Sequence, residues 1–313
     1  MRKAYVTVNG FNEEAQQIIR NAGIELTLNN SNRTPNGEEL ISILKEYDII
    51  ILSVFSKLTA EMLQVIKTPK IIGTVSVGLD HIDRSFFESP LVKIVNIKTA
   101  NARSVAEHIF SLILNLNKRV SESNELVIEG KGERKNLHER PEDITGKKLG
   151  LIGCGNITSE VIKIARAFNM KMKCYTLDAE IFKDKYGDEI EFLALDEVLK
   201  ESDIINISVP LTEDTHNMIS EEKIKMIKPT ATFINTARDK VVDTEALIKY
   251  ADLHDTFYVG LDIDVDRYRN LFTKFRKNVI VTPHIAGNSK QAIERMDIEI
   301  ANRIIEIGEK IGN

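Results

Sequence analysis

Short runs of β-branched residues alternate along the chain with longer segments whose apolar residues recur every three or four positions. Residues 4–8 (AYVTV), 24–28 (IELTL), 48–54 (DIIILSV), 70–78 (KIIGTVSVG) and 92–97 (VKIVNI) read as strands. Helical patterns lie over 13–22 and near 37–46. Residues 103–120 give the strongest helical signal: Val105, Ile109, Leu112, Ile113 and Leu116 form one stripe, and Ser104 with Glu107 has the spacing of a capping box. A polar stretch over 129–146 reads as an exposed loop. A second series follows, with strands at 148–153, 170–177, 203–210, 230–237, 256–263 and 278–283, a helix over 157–168 and a last helix over 290–307. Strands alternating with helices predict parallel, doubly wound sheets.

Length and charge narrow the class. The 313 residues suggest about two domains at ~150 residues each. With 42 basic and 47 acidic residues the net charge is −5, which argues against nucleic acid or an anionic membrane surface as partner. No apolar run approaches the ~20 residues needed to span a bilayer. The start of the chain lacks a signal-peptide core. Cys154 and Cys174 have no metal or redox spacing, so a reduced, cytoplasmic protein is expected.

The chemistry begins at residues 150–160, GLIGCGNITSE. An apolar strand precedes this loop and an amphipathic helix follows, the setting of a dinucleotide-binding turn. Gly153 makes the tight turn and Gly155 admits phosphate to the backbone. Thr158 occupies the place of a third glycine, where it is expected to push the helix outward a little. The residue that reads the adenosine ribose should follow the next strand, about 20 residues on. Thr176 stands there, with Asp178 two further along.

Six segments, TVSVGLDHID, NARSVAEHIFSLIL, GLIGCGNI, INTARDKVVDTEALI, GLDI and NVIVTPHIAGNS, occur in an order and spacing that resembles the D-2-hydroxyacid dehydrogenase family over essentially the whole chain. The resemblance implies NAD(P)-dependent hydride transfer between a small, non-phosphorylated 2-oxo acid and its D-2-hydroxy acid. It implies a Rossmann-type cofactor domain, residues 99–285, inserted in a flavodoxin-like substrate domain made from residues 1–98 and 286–313. A homodimer through the cofactor domain is also implied. Cofactor contacts are expected at Gly153, Gly155, Asn156, Ile157, Thr176, Pro210, Thr236 and Asp262.

Reduction of a 2-oxo acid needs a proton donor for the new alkoxide and a cation for its carboxylate and carbonyl. Arg238, after the strand ending FINTA, offers a bidentate guanidinium. His284, after VIVTP, is the histidine placed where α/β sheets carry chemistry. His108, on the flank of the apolar stripe, reads as structural. Val77 and Gly78 are expected to meet the substrate carboxylate through backbone N–H groups. Asn101 is expected to line the domain junction, and Phe55 to wall the substrate side chain. Neither Ser53 nor Phe55 supplies the arginine of phosphoglycerate-type members.

Two departures stand out. Related chains carry a glutamate five residues after the aspartate equivalent to Asp262, where it supports the histidine; here that residue is Arg267. Asp266 or Asp264 is expected to stand in, with Asp266 preferred. Asp239 replaces the glycine common after the arginine. The altered ribose position leaves NAD only slightly favoured over NADP. The departures also keep open a catalytically silent, dinucleotide-sensing binding protein on the same fold.

Overall fold

The computed structural model describes residues 1–273 and 276–312. They form two compact units: Met1–Asn101 together with the segment from Lys290 onward, and Ala102–Ser289.

The first unit begins with β1 (Lys3–Val6), α1 (Glu13–Asn21), β2 (Glu25–Leu28), α2 (Gly37–Glu46), β3 (Ile49–Leu52), β4 (Lys70–Thr74), α3 (Ser85–Glu88) and β5 (Val92–Asn96). Its sheet has the order β2-β1-β3-β4-β5, parallel throughout, with Ala4 opposite Ile49 and Ile51 opposite Gly73. This is the flavodoxin-like order. All four residues of β3 and all five of β4 are buried, as strands covered on both faces require.

The second unit opens with α4 (Ala102–Lys118) and α5 (Val120–Ile128). The sequence reads these as one helix running to Val120, but Arg119 breaks it with a left-handed φ of 56°. The buried Arg119 guanidinium stacks 3.7 Å from the centre of the Tyr258 ring and bonds its hydroxyl. That anchor fixes the break. The expected capping box does not form, because α4 begins at Ala102. Ser104 therefore lies inside the first turn and bonds the Ser289 hydroxyl at 2.7 Å, while Glu107 pairs with Arg103. The helix is held by its stripe instead. Val105, Ile109, Leu112, Ile113 and Leu116 are all buried, a contribution on the order of 10 kcal/mol against about 1 for a cap.

The chain continues through β6 (Lys148–Ile152), α6 (Asn156–Ala167), β7 (Lys171–Tyr175), α7 (Ala179–Tyr186), β8 (Ile190–Phe192), α8 (Leu195–Glu201) and β9 (Ile204–Ile207). It then forms α9 (Glu221–Ile224), β10 (Thr232–Asn235), α10 (Thr244–Leu253), β11 (Tyr258–Asp262) and β12 (Val279–Thr282). Seven parallel strands take the order β12-β11-β10-β9-β6-β7-β8. The order reverses between β6 and β9, and the carboxyl ends of these strands frame the crevice where such sheets take ligands.

Finally α11 (Lys290–Gly312) returns to the first unit and packs on α1. The units change over a few residues later than the expected boundaries. At the first changeover the Glu299 carboxylate on α11 accepts from the backbone N–H groups of Lys98 (2.6 Å), Thr99 (3.4 Å) and Ala100 (3.0 Å), which ties that segment to the first unit.

Candidate active site

In the second unit the glycine loop leaves β6 at the reversal of strand order. Gly153 has φ +97°, and a Cβ there would lie 2.7 Å from the Ser208 carbonyl oxygen, so both conformation and packing demand glycine. Gly155 is different. Its backbone is ordinary, at φ −89°, and a Cβ would meet nothing within 4 Å. The space in front of α6 at this position is open, and the N-cap residue, Gly155 itself, has no side chain to cap the helix. A helix N-terminus with a bare backbone approach fits a dinucleotide pyrophosphate. Thr158 is fully buried and donates to the Gly153 carbonyl at 2.8 Å, so its hydroxyl tightens the turn.

The other expected cofactor residues stand at the carboxyl ends of neighbouring strands. Asn156 and Ile157 open α6, the half-buried Thr176 follows β7, and Pro210 lies beyond β9. Thr236 is buried directly after β10. Asp178 sits exposed at the start of α7 without capping it. Lys183 pairs with Glu180, whereas Lys185 reaches Ser159 on α6 at 3.3 Å.

Two buried polar side chains shape the loops that carry Arg238 and His284. Asn235 ends β10; its amide donates to the Arg238 carbonyl at 3.0 Å and its oxygen accepts from Ala237 N–H at 3.0 Å. Asp262 ends β11 and is 1% exposed. Its Oδ1 accepts from the Thr282 hydroxyl (2.6 Å) and Ile285 N–H (2.8 Å), and its Oδ2 from Ala286 N–H (2.8 Å). Between those contacts His284 adopts φ +53°, a left-handed backbone costing about 1–3 kcal/mol for a non-glycine residue. His108 on α4 joins the same network: its Nε2 lies 3.0 Å from Thr282 Oγ1 and 3.9 Å from Asp262 Oδ1.

The His284 ring is exposed, yet the protein packed around it disfavours the imidazolium and lowers its pKa from the ordinary 6.5. The Arg238 guanidinium pushes the same way; Asp262, Asp264 and Asp239 push back. Asp266 is not in that group. A short helical turn over 265–272 swings it outward, and its carboxylate pairs with Arg269 at 2.6 Å. Instead, the two departures in the sequence meet each other. Asp239 lies 3.4 Å from Arg267 and accepts from the Tyr268 hydroxyl at 3.2 Å, which places a tethered carboxylate beside Arg238.

The remaining expected residues belong to the first unit. Phe55 is 72% exposed in the loop after β3, a poor position for a core residue. After β4 the Val77 and Gly78 carbonyls are tied down by Asn96 and the Ser76 hydroxyl. Asn101 has a buried side-chain oxygen with no hydrogen-bond partner.

Sequence reasoning missed Asn235, the pairing of Asp239 with Arg267, and the link from His108 to Asp262. Helical spacing placed His108 on the flank of a stripe, but nothing in the sequence joins it to Thr282, 174 residues away. Among the described residues no cluster of three or more His, Cys, Asp or Glu side chains could hold a metal ion. No helix of those residues is long and apolar enough to cross a membrane.

Comparison with known proteins places this geometry. Residues 110–286 match the family described as D-isomer specific 2-hydroxyacid dehydrogenase, NAD binding domain. The hydroxypyruvate reductase of Thermotoga maritima is 34% identical, with 98% of this chain and 99% of that protein covered. The glyoxylate reductase of Thermofilum pendens is 32% identical over 87% of this chain and 82% of its own length. Among solved structures, D-lactate dehydrogenase from Aquifex aeolicus, complexed with NAD and lactic acid, is similar with a TM-score of 0.81 and 31% identity, covering 98% of this chain and 96% of that one. With a glycine loop at the strand reversal and an arginine and a histidine after the carboxyl ends of β10 and β12, the chain belongs to the D-isomer-specific 2-hydroxyacid dehydrogenase family and is an NAD(P)-dependent oxidoreductase.

Proposed function

We propose that the chain reduces a small, non-phosphorylated 2-oxo acid of the hydroxypyruvate or glyoxylate type, with Arg238 as substrate clamp and His284 as proton donor. The observation that carries the reading is His284 itself: an imidazole held in a left-handed loop, under opposing charge from Arg238 and three carboxylates. The names of the relatives support the substrate class. So do Ser53 and the exposed Phe55, where a phosphate-binding arginine would otherwise stand.

Gly153 to Ile157, Thr176, Pro210 and Thr236 would hold the cofactor, which supplies or accepts the hydride when bound. Asp262 has spent three of its roughly four acceptor positions on Thr282 and the His284 loop, so it can take one further donor at Oδ2. Arg238 grips carboxylate and carbonyl oxygens together and polarises the carbonyl. An anionic substrate on Arg238 offsets the guanidinium's effect on His284, so the imidazole gains its proton as the complex forms. His284 then donates that proton to the new alkoxide oxygen. In the first unit, Val77 and Gly78 offer backbone N–H groups to the substrate carboxylate, Asn101 offers its unpaired oxygen, and Phe55 packs on the substrate side chain.

NADH is slightly preferred over NADPH, since Thr176 neither repels nor grips a 2′-phosphate. The working form is a cytoplasmic homodimer, supported by two free buried thiols and by Val120, Val127 and Ile128 exposed on α5. Light scattering should return twice the 35.4 kDa chain mass. The functional test is a panel of hydroxypyruvate, glyoxylate, pyruvate and a phosphorylated 2-oxo acid, followed at the nicotinamide absorbance with either cofactor. Arg238→Lys should keep cofactor affinity and lose on the order of 10²–10³-fold in kcat/KM. A preference for the phosphorylated acid, or near-native turnover in Arg238→Lys, refutes the assignment.

A further inference from the structure

We propose that His108 is a positioning residue for the reaction, fixing the left-handed loop of His284 through Thr282 and Asp262. The proton count gives the network one direction. The Thr282 hydroxyl has a single hydrogen, and its 2.6 Å contact is to a carboxylate oxygen, which only accepts. The hydroxyl's other contact, to the Leu261 carbonyl, is longer at 3.3 Å. Toward His108 the hydroxyl is therefore the acceptor, and Nε2 of His108 carries the proton that it donates at 3.0 Å.

A chain of donors thus runs from α4 to the Asp262 carboxylate, which receives the Ile285 and Ala286 N–H groups. Those amides directly follow His284. Backbone in the left-handed region persists only where surrounding contacts over-determine it. Asp262 can hold both amides only while its two oxygens stay oriented, and the Thr282 hydroxyl sets that orientation at Oδ1. Thr282 in turn needs a donor at its lone pair. His108 supplies it from a helix whose apolar stripe is locked in the core, with 17% of its own side chain exposed. The imidazole is thereby a rigid peg between the α4 core and a strained loop.

The inference rests on reading His284 as the proton donor, and the experiment separates the two. Three variants are compared with the parent protein: His108→Leu removes the donor, His108→Gln keeps an N–H at similar reach, and Thr282→Val removes the relay hydroxyl. Amide hydrogen exchange at Ile285 and Ala286 reads the brace without any turnover. In His108→Leu and Thr282→Val these amides should exchange about tenfold faster, and kcat at saturating NADH and hydroxypyruvate should fall about tenfold, with NADH affinity within about twofold of the parent. His108→Gln should recover most of both. The double variant His108→Leu/Thr282→Val should be no worse than either single change, because the two act in series. Native exchange and native kcat in His108→Leu overturn the proposal, as does a double variant whose losses multiply. If His108→Leu does not fold, Thr282→Val and His108→Gln decide the matter: native exchange in Thr282→Val overturns it. A His284→Ala protein that still turns over refutes the proton-donor reading while leaving the exchange result to judge the brace.

Discussion

Replacing Asp297 by asparagine is expected to stabilise the first unit at neutral pH and to bring no gain in acid. Asp297 lies on α11 with 2% of its surface exposed, and its Oδ2 accepts from Asn12 N–H at 2.9 Å. Burial raises its carboxyl pKa from 3.8 to about 6, opposed only in part by the Asn12 bond. A shift of about two units corresponds to roughly 3 kcal/mol. The sign follows from proton binding. Between those two values the folded chain keeps a proton that the unfolded chain has released, so stability falls as pH rises through the window and the loss is complete above about pH 6. Asparagine has the same shape, can accept the Asn12 bond and has no charge to bury. Its extra N–H group must find an acceptor, at about 1 kcal/mol, which leaves a net gain of about 2 kcal/mol at neutral pH. The assay is urea and thermal unfolding of both proteins at intervals from pH 5 to pH 8. The stability difference should widen up to about pH 7 and then stay constant. A difference independent of pH, or a variant less stable than the parent at pH 7.5, refutes the reasoning.

Three further outcomes are expected. Gly155→Ala should leave the melting temperature nearly unchanged, because a Cβ there meets nothing within 4 Å, yet should weaken NADH binding in a calorimetric titration; equal loss of stability and affinity would make Gly155 a packing residue. Asp239→Asn should move the reduction pH profile to lower pH, since a carboxylate that helps keep His284 protonated is lost, whereas Asp266→Asn should leave the profile in place. Thr176→Asp should sharpen the preference for NADH by adding ribose bonds and repelling the 2′-phosphate, read as the ratio of kcat/KM for the two cofactors.

The sequence discloses whatever depends on local pattern. Alternating strands and helices, the stripe on α4 and the position of the glycine loop need only neighbours in sequence. Arg238 and His284 are legible because chemistry in such sheets sits at strand ends. What stays hidden depends on backbone direction or distant contacts. Counting from Asp262 points to Asp266, but the helical turn over 265–272 rotates that carboxylate to Arg269. The break at Arg119 depends on Tyr258, far along the chain, and the cap expected at Ser104 is lost to Ser289. Asp262 is legible as a strand-end acid, yet its three bonds to Thr282 and the His284 loop appear only in three dimensions.

The Asp239–Arg267 pair has a consequence for how this site can change by mutation. The family resemblance implies glycine and glutamate at these two places, where this chain has an acid and a base that pair with each other. Restoring glycine at 239 alone strips Arg267 of its counter-charge and the Tyr268 hydroxyl of its acceptor. Restoring glutamate at 267 alone sets two carboxylates against each other beside Arg238. Each single reversal should therefore be worse than the double one, which would make the two positions epistatic. Chimeras that graft one segment from a relative should lose activity that a graft of both segments retains.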